Sequence, residues 1–144
     1  MDEQVATYNE NVLVNLIDMK GSQKTIGDAF TKLVKKLDMK DIHYEWFDFH
    51  HECRKMKWEN ISILVDKIKS KMEAQDYFIA QLDHGLDERD KLNSDSIMVQ
   101  CKQNGVIRTN CMDCLDRTNV VQSVFARNLA HKLLKYTWTI TYIY

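Results

Sequence analysis

Val106-Ile107-Arg108-Thr109-Asn110-Cys111-Met112-Asp113-Cys114-Leu115-Asp116-Arg117-Thr118-Asn119-Val120-Val121 changes period along its length. Its first residues are β-prone, and from Val120 the apolar residues Val121, Val124, Phe125, Leu129 and Leu133 recur at the spacing of one helix face. This predicts a helix over 118–135 and a strand, loop and helix bracketing residues 108–118. The segment fixes both the class of fold and the place where chemistry belongs.

Outward from it, Ile97-Met98-Val99 and Val106-Ile107 flank Asn104-Gly105, the strongest short hairpin signal in the chain. Tyr77-Phe78-Ile79-Ala80 reads as a strand, and 83–95, with seven charged residues and one Gly, reads as a long surface loop. A helix from Trp58 to Ala74 carries Ile61, Val65, Ile68 and Met72 on one face, with Lys57, Lys67, Lys69 and Lys71 at solvated positions and Trp58 anchoring it in the core. Ile42, Tyr44 and Trp46 alternate with His43 and Glu45 as a strand.

A helix over 24–38, capped by Ser22 or Thr25, presents Ile26, Phe30, Leu33, Val34 and Leu37. Val12 to Ile17, apolar and β-branched, reads as a buried strand closed by Lys20-Gly21-Ser22. From Tyr136 to Tyr144 aromatic and β-branched residues alternate, as in an edge strand or an exposed adhesive segment. Strands alternating with helices predict an α/β fold: a partial mixed β-sheet with helices packed on its faces, and a phosphate-binding loop between a strand and a helix.

The 144 residues suit one domain, with 44% apolar residues for a core and twenty Lys+Arg against twenty-one Asp+Glu. That balance gives no electrostatic reason to expect nucleic acid, so any anion site must be local. No stretch approaches the roughly 18 apolar residues of a membrane span, and the N-terminus lacks a signal-peptide profile. There is no Pro and there are four Gly, so tight turns are few. Four Cys without a secretory signal read as reduced thiols, predicting a soluble chain in a reducing, cytosolic compartment.

Cys111 and Arg117 stand at the spacing Cys-x5-Arg, followed by Thr118. Five intervening residues can curl so that backbone N–H groups of Met112, Cys114, Leu115, Asp116, Arg117 and Thr118 converge on one anion, over which the Arg fork closes. The occupant expected there is a phosphoryl group. An ordinary thiol is only about 3% thiolate at neutral pH, and the thiolate is the nucleophile. A helix N-terminus supplies about 0.3 to 2 kcal/mol, so convergent amides and Arg117 must stabilise the sulfur anion as well. The same donors would stabilise the equatorial oxygens of the transition state. Asp113 is the favoured general acid, with Asp116 the alternative.

The string from Arg108 to Asn119 closely resembles the signature loop of the Sac-domain (suppressor-of-actin) phosphoinositide phosphatases. Phe47-Asp48-Phe49-His50-His51-Glu52-Cys53, the segment from Trp58, and Val12 to Gly21 resemble the same family, so the resemblance covers roughly residues 4–133. It implies removal of a phosphomonoester from a phosphoinositide headgroup at a membrane surface, foremost phosphatidylinositol 4-phosphate, with no cofactor or metal. It also implies the cytosolic face of endoplasmic reticulum or Golgi membranes as the place of action. Position by position, Cys111 is the nucleophile, Arg117 the clamp and Asp113 the acid, with Arg108, Asn110 and Asn119 in support. Residues 1–135 then correspond to the C-terminal part of a Sac-type catalytic domain whose N-terminal lobe is absent, and 136–144 form a tail outside the resemblance.

Other chemistries fit parts of the pattern. Cys111-Met112-Asp113-Cys114 is a Cys-x-x-Cys at a helix start, as in a thioredoxin-like redox site, but the intervening acid opposes a thiolate and the expected Pro does not exist here. Cys111, Cys114, Cys53 and His50 could form a zinc site, although packing or hydrogen bonding suits His50, His51 and Cys53 better. Neither reading explains Arg117-Thr118-Asn119. Cys101 reads as an inert strand thiol. A truncated module that binds a phosphoinositide without turnover is the alternative function.

Overall fold

A computed structural model describes residues 1–82, 97–112 and 116–141, with side chains described to residue 135. Among them α1 (Asp2–Tyr8) leads into β1 (Glu10–Asn15), followed by α2 (Lys24–Leu37), β2 (Ile42–Trp46), a single-turn α3 (Phe49–Glu52) and α4 (Ile61–Gln75). Then come β3 (Ile79–Leu82), β4 (Ile97–Cys101), β5 (Gly105–Asn110) and α5 (Asp116–Thr141). The predicted loop over 83–95 lies outside the described residues.

The described strands form two sheets. One is a parallel trio in the order β2-β1-β5, the other an antiparallel pair of β3 and β4. The sheet is therefore not mixed as expected: parallel and antiparallel pairings are segregated. β1 lies at the centre of the trio, with Asn15 in register with both Trp46 and Asn110. Its residues from Asn11 to Asn15 are all buried, as a parallel strand covered on both faces requires.

Val12, Val14 and Leu16 meet Phe47, Phe49 and Cys53, then Ile61, Leu64 and Ile68 of α4 and Val121 and Phe125 of α5, in one core. Each such aliphatic side chain contributes about 1.5–3 kcal/mol through removal from water. On α4 the buried apolar positions are Ile61, Leu64 and Ile68, with the expected Val65 and Met72 at the flank. Lys67 and Lys71 are not merely solvated, since they reach Glu45 at 2.6 Å and Glu10 at 2.5 Å. Trp58 precedes the α-helix in a 3₁₀ turn and is exposed, its ring 6.0 Å from that of Phe49.

α2 follows the predicted range, but no side chain caps its N-terminus; a 3₁₀ turn at Gly21–Gln23 leads in. Its close approach to the sheet is made at Gly27, where an added Cβ would lie 2.2 Å from the Trp46 ring. Ile26, Leu33 and Leu37 stay exposed because the helix descends on its glycine.

The expected hairpin at Asn104-Gly105 does not form. β4 pairs with β3, whereas β5 runs parallel to β1 in the other sheet, so the dipeptide joins two sheets. Gly105 is needed there for closeness: a Cβ would lie 2.6 Å from both the Glu10 carbonyl oxygen and Gln75 Cγ. Asn104 N–H donates to the Gln75 carbonyl at 2.7 Å. The edge strand expected from Tyr136 is likewise replaced, because α5 continues to Thr141. Extending a formed helix adds one hydrogen bond per residue fixed, and this outweighs a β-propensity that depends on neighbouring strands.

Candidate functional site

Parallel strands bring their C-terminal ends to one edge, and open α/β sheets bind ligands outside that edge. Here the edge gathers the chain after β1, the chain after β2, and Cys111 after β5. Main-chain bonds align them: Leu16 N–H donates to the Asn110 carbonyl at 2.8 Å, and Phe47 N–H to that of Asn15 at 2.9 Å. Asn15, fully buried, accepts from Asn110 Nδ2 at 2.8 Å and donates to Tyr44 Oη at 3.1 Å. Burial of an amide is tolerable only with such partners.

Asp48 ties the second segment to the first. One carboxylate oxygen caps α3 by accepting from His51 N–H at 3.0 Å, and the other accepts from Met19 N–H at 2.9 Å. Trp46 Nε1 donates to the Ile17 carbonyl at 2.7 Å. The frame around residues 16–23 is thus fixed from below.

Against this frame lies Arg117 in the first turn of α5. Its Nη1 donates to the Leu16 carbonyl at 3.3 Å, Asp18 Oδ1 at 3.3 Å and Gln23 Oε1 at 3.1 Å. Nη2 lies 3.2 Å from His50 Nδ1. Cys111 Sγ is 3.3 Å from the hydroxyl of Thr118, which is buried. A hydroxyl donor at that distance can stabilise a sulfur anion.

The expected site residues divide accordingly. Cys111, Arg117 and Thr118 come to one sheet edge, Asp116 opens α5 with its charge at the favourable helix end, and Asn110 supports the edge through Asn15. Met112 is exposed. Arg108 is not gathered in: its Nη1 donates to Gln4 of α1 at 2.8 Å. Asn119 is an exposed helix residue whose carbonyl accepts from Ser123. Asp113, Cys114 and Leu115 lie outside the described residues. Of the zinc set, Cys53 belongs to the hydrophobic core, while His50 turns to Arg117 and Asp18. Burial, then the charges of Glu52 and Glu59, push the Cys53 thiol up to about 11, so it is an inert neutral group.

Sequence reasoning missed Asp18 and Gln23, and gave His50 no part beside Arg117. The available signal was their position directly after the ends of β1 and β2.

A family model described as the SacI homology domain matches residues 1–54. The chain is 41% identical over 132 residues to the phosphatidylinositol-3-phosphatase SAC1 of Saccharomyces cerevisiae, covering 91% of this chain and 20% of the relative. It is 42% identical over 125 residues to SAC1 of Drosophila melanogaster, covering 87% and 19%. Against the phosphatidylinositide phosphatase SAC2 of Mus musculus it is 42% identical over 134 residues, 93% of this chain and 11% of that protein. The chain is thus similar to the SacI homology domain over residues 1–54 and to these SAC1 and SAC2 proteins over most of its length. A match of 134 residues within 144 necessarily takes in 11–134, and with them the segment from Cys111 to Thr118. The chain spans about a fifth of the length of these SAC1 relatives and about a ninth of SAC2. Among the described residues no helix is long and apolar enough to cross a membrane.

Proposed function

We propose that the protein is a phosphoinositide phosphatase that hydrolyses a phosphomonoester through a cysteinyl-phosphate intermediate. The observation that carries this reading is Cys111 beside Thr118 at the sheet edge where Arg117 stands in the first turn of α5, in a chain similar to enzymes named as phosphatidylinositol phosphatases. Cys111 Sγ attacks phosphorus in line, an S–P bond forms and the ester P–O bond breaks. Asp113 protonates the leaving alkoxide, or Asp116 in the alternative assignment, and the resulting carboxylate then activates the water that cleaves S–P and releases phosphate. Backbone N–H groups from Met112 to Thr118 and the Arg117 fork hold the phosphoryl oxygens. Asn110 and Asn119 support the loop. The reaction routes no step through a metal or cofactor.

The substrate is a headgroup presented by a membrane surface, with phosphatidylinositol 4-phosphate the form favoured by the resemblance and the cytosolic face of endoplasmic reticulum or Golgi membranes the site of action. The SAC1 relatives carry the 3-phosphate in their names, so both monophosphates belong in the assay. Phosphate release from short-chain lipids, with chelator present, is expected to be abolished by Cys111→Ser. Equal release by both proteins would remove the cysteine mechanism, and loss with chelator would remove metal independence. Saturable headgroup binding without release would favour a non-catalytic binding module, a reading motivated by the small fraction of the relatives that the chain spans. Asp113→Asn is expected to slow alkyl phosphates more than activated aryl phosphates, because only the former need a proton.

A further inference from the structure

The guanidinium assigned above to clamp phosphate is already engaged by groups that no step of that chemistry uses. Arg117 has five N–H donors and no acceptor. Three oxygens from the chain after β1 meet its Nη1, and a ring nitrogen from α3 meets its Nη2. Only one of these partners is an anion. Asp18 Oδ1, on a largely buried side chain, lies 3.3 Å from Arg117 Nη1 and 3.4 Å from His50 Nδ1. Gln23 Oε1 also accepts from Asp18 N–H at 3.3 Å, so the backbone that carries the carboxylate is itself held in place.

We propose that Asp18 and His50 are positioning residues for Arg117: Asp18 fixes the fork by its charge, and neutral His50 completes the bracket as a hydrogen-bond acceptor. This rests on the reading of Arg117 as the phosphate clamp. The roles follow from chemistry at these distances. Nη2 can only donate, so Nδ1 must offer its lone pair, which places the ring proton on Nε2. Protonation of His50 turns Nδ1 into a donor facing other donors. The ring then competes with Arg117 for the same oxygen of Asp18, and the fork is loosened. The charged groups that meet the ring are Asp18 from the β1–α2 connection and Arg117 from α5, while His51 and Glu52 on its own helix pair with each other at 3.2 Å. An arginine held off its productive angle still attracts phosphate but serves the transition state poorly, so the loss falls on kcat.

The test uses the intact protein with Asp18→Asn, Asp18→Glu and His50→Gln. Phosphate release from dioctanoyl phosphatidylinositol monophosphates is followed from about pH 5.5 to 8, where imidazole changes charge. The Nε–Hε resonance of Arg117, assigned with Arg117→Lys, is recorded alongside. Asp18→Asn is expected to lower kcat by about 10-fold or more with KM within about 3-fold, and Asp18→Glu to recover part of it. His50→Gln, which cannot titrate, is expected to remove the acid-side fall in kcat, and the Arg117 resonance to move in Asp18→Asn. Retained kcat with an unmoved resonance in Asp18→Asn overturns the proposal, as does a His50→Gln profile superimposable on the parent's. If the parent releases no phosphate, the phosphatase reading fails by itself, and the Arg117 resonance alone decides the bracket. If Asp18→Asn does not fold, His50→Gln decides on the same readouts, since its side chain is 72% exposed.

Discussion

β1 and β4 are both short apolar strands, and they occupy opposite environments. Val12 and Val14 of β1 are 0% exposed, whereas Met98 and Val99 of β4 are 71% and 55% exposed. Composition does not separate them; the number of partners does. β1 has a parallel neighbour on each side and lies in the core with α4 and α5, while among the described residues β4 has one antiparallel neighbour. A strand pattern therefore reports that a segment will pair, and tertiary context decides how deeply it is buried.

The contrast can be broken most directly by truncation. Leu64→Ala, beneath β1, is expected to cost about 2–5 kcal/mol, and Met98→Ala within about 0.5, as read from urea midpoints. Comparable losses would contradict the exposure of Met98. Next in size, Gly27→Ala forces a methyl into the Trp46 ring and is expected to cost about 1–3 kcal/mol. The cost should shrink when Trp46 is also cut to Leu, and a strictly additive double mutant would reject the contact.

Two smaller effects sharpen the same comparison through titration. Cys53, in the trio's core with its thiol pushed up to about 11, is expected to resist iodoacetamide at about pH 8 until the protein unfolds. Labelling of the folded chain at Cys53, seen by mass spectrometry, would contradict that burial. Asp76, at the end of α4, has its carboxyl held below the ordinary value by the hydrogen bond from Lys132 and then by that from Cys101 of β4. A lowered folded pKa means that the pair stabilises the fold above the unfolded carboxylate value, and that this stabilisation fades as pH falls through the folded one. Asp76→Asn should flatten that part of the acid transition slightly, the smallest of the four effects because both side chains are over 40% exposed. A steeper transition in the variant would reverse the assignment.

Much of this architecture was legible because the period of the apolar residues agrees with the final environment. β1, α2 and β2 appear within two residues of where alternation and helical spacing put them. The hairpin at Asn104-Gly105 misled because Gly105 serves interatomic closeness to Glu10 and Gln75, a requirement that leaves the same letter as a turn. The tail misled because Tyr, Thr, Trp and Ile prefer strands only when a strand is there to pair with, and α5 was already running. At the site, the spacing of Cys111, Arg117 and Thr118, together with the resemblance of the surrounding string, singled out the segment that reaches this sheet edge. Asp18, Gln23 and His50 were not legible in this way, since they lie 99, 94 and 67 residues from Arg117 and meet it only through the pairing of β1 with its neighbours.

The pairing of Glu10 with Gly105 also has a consequence for synthesis. β1 leaves the ribosome before β5 and must wait for a partner encoded 95 positions later, which at about 5–20 residues per second is several seconds or more. During that interval the nascent chain carries an unpaired hydrophobic edge, an invitation to wrong neighbours. Molecular chaperones that shield such an edge would therefore govern the yield of folded protein, because Cys111 follows directly on the very strand that closes it.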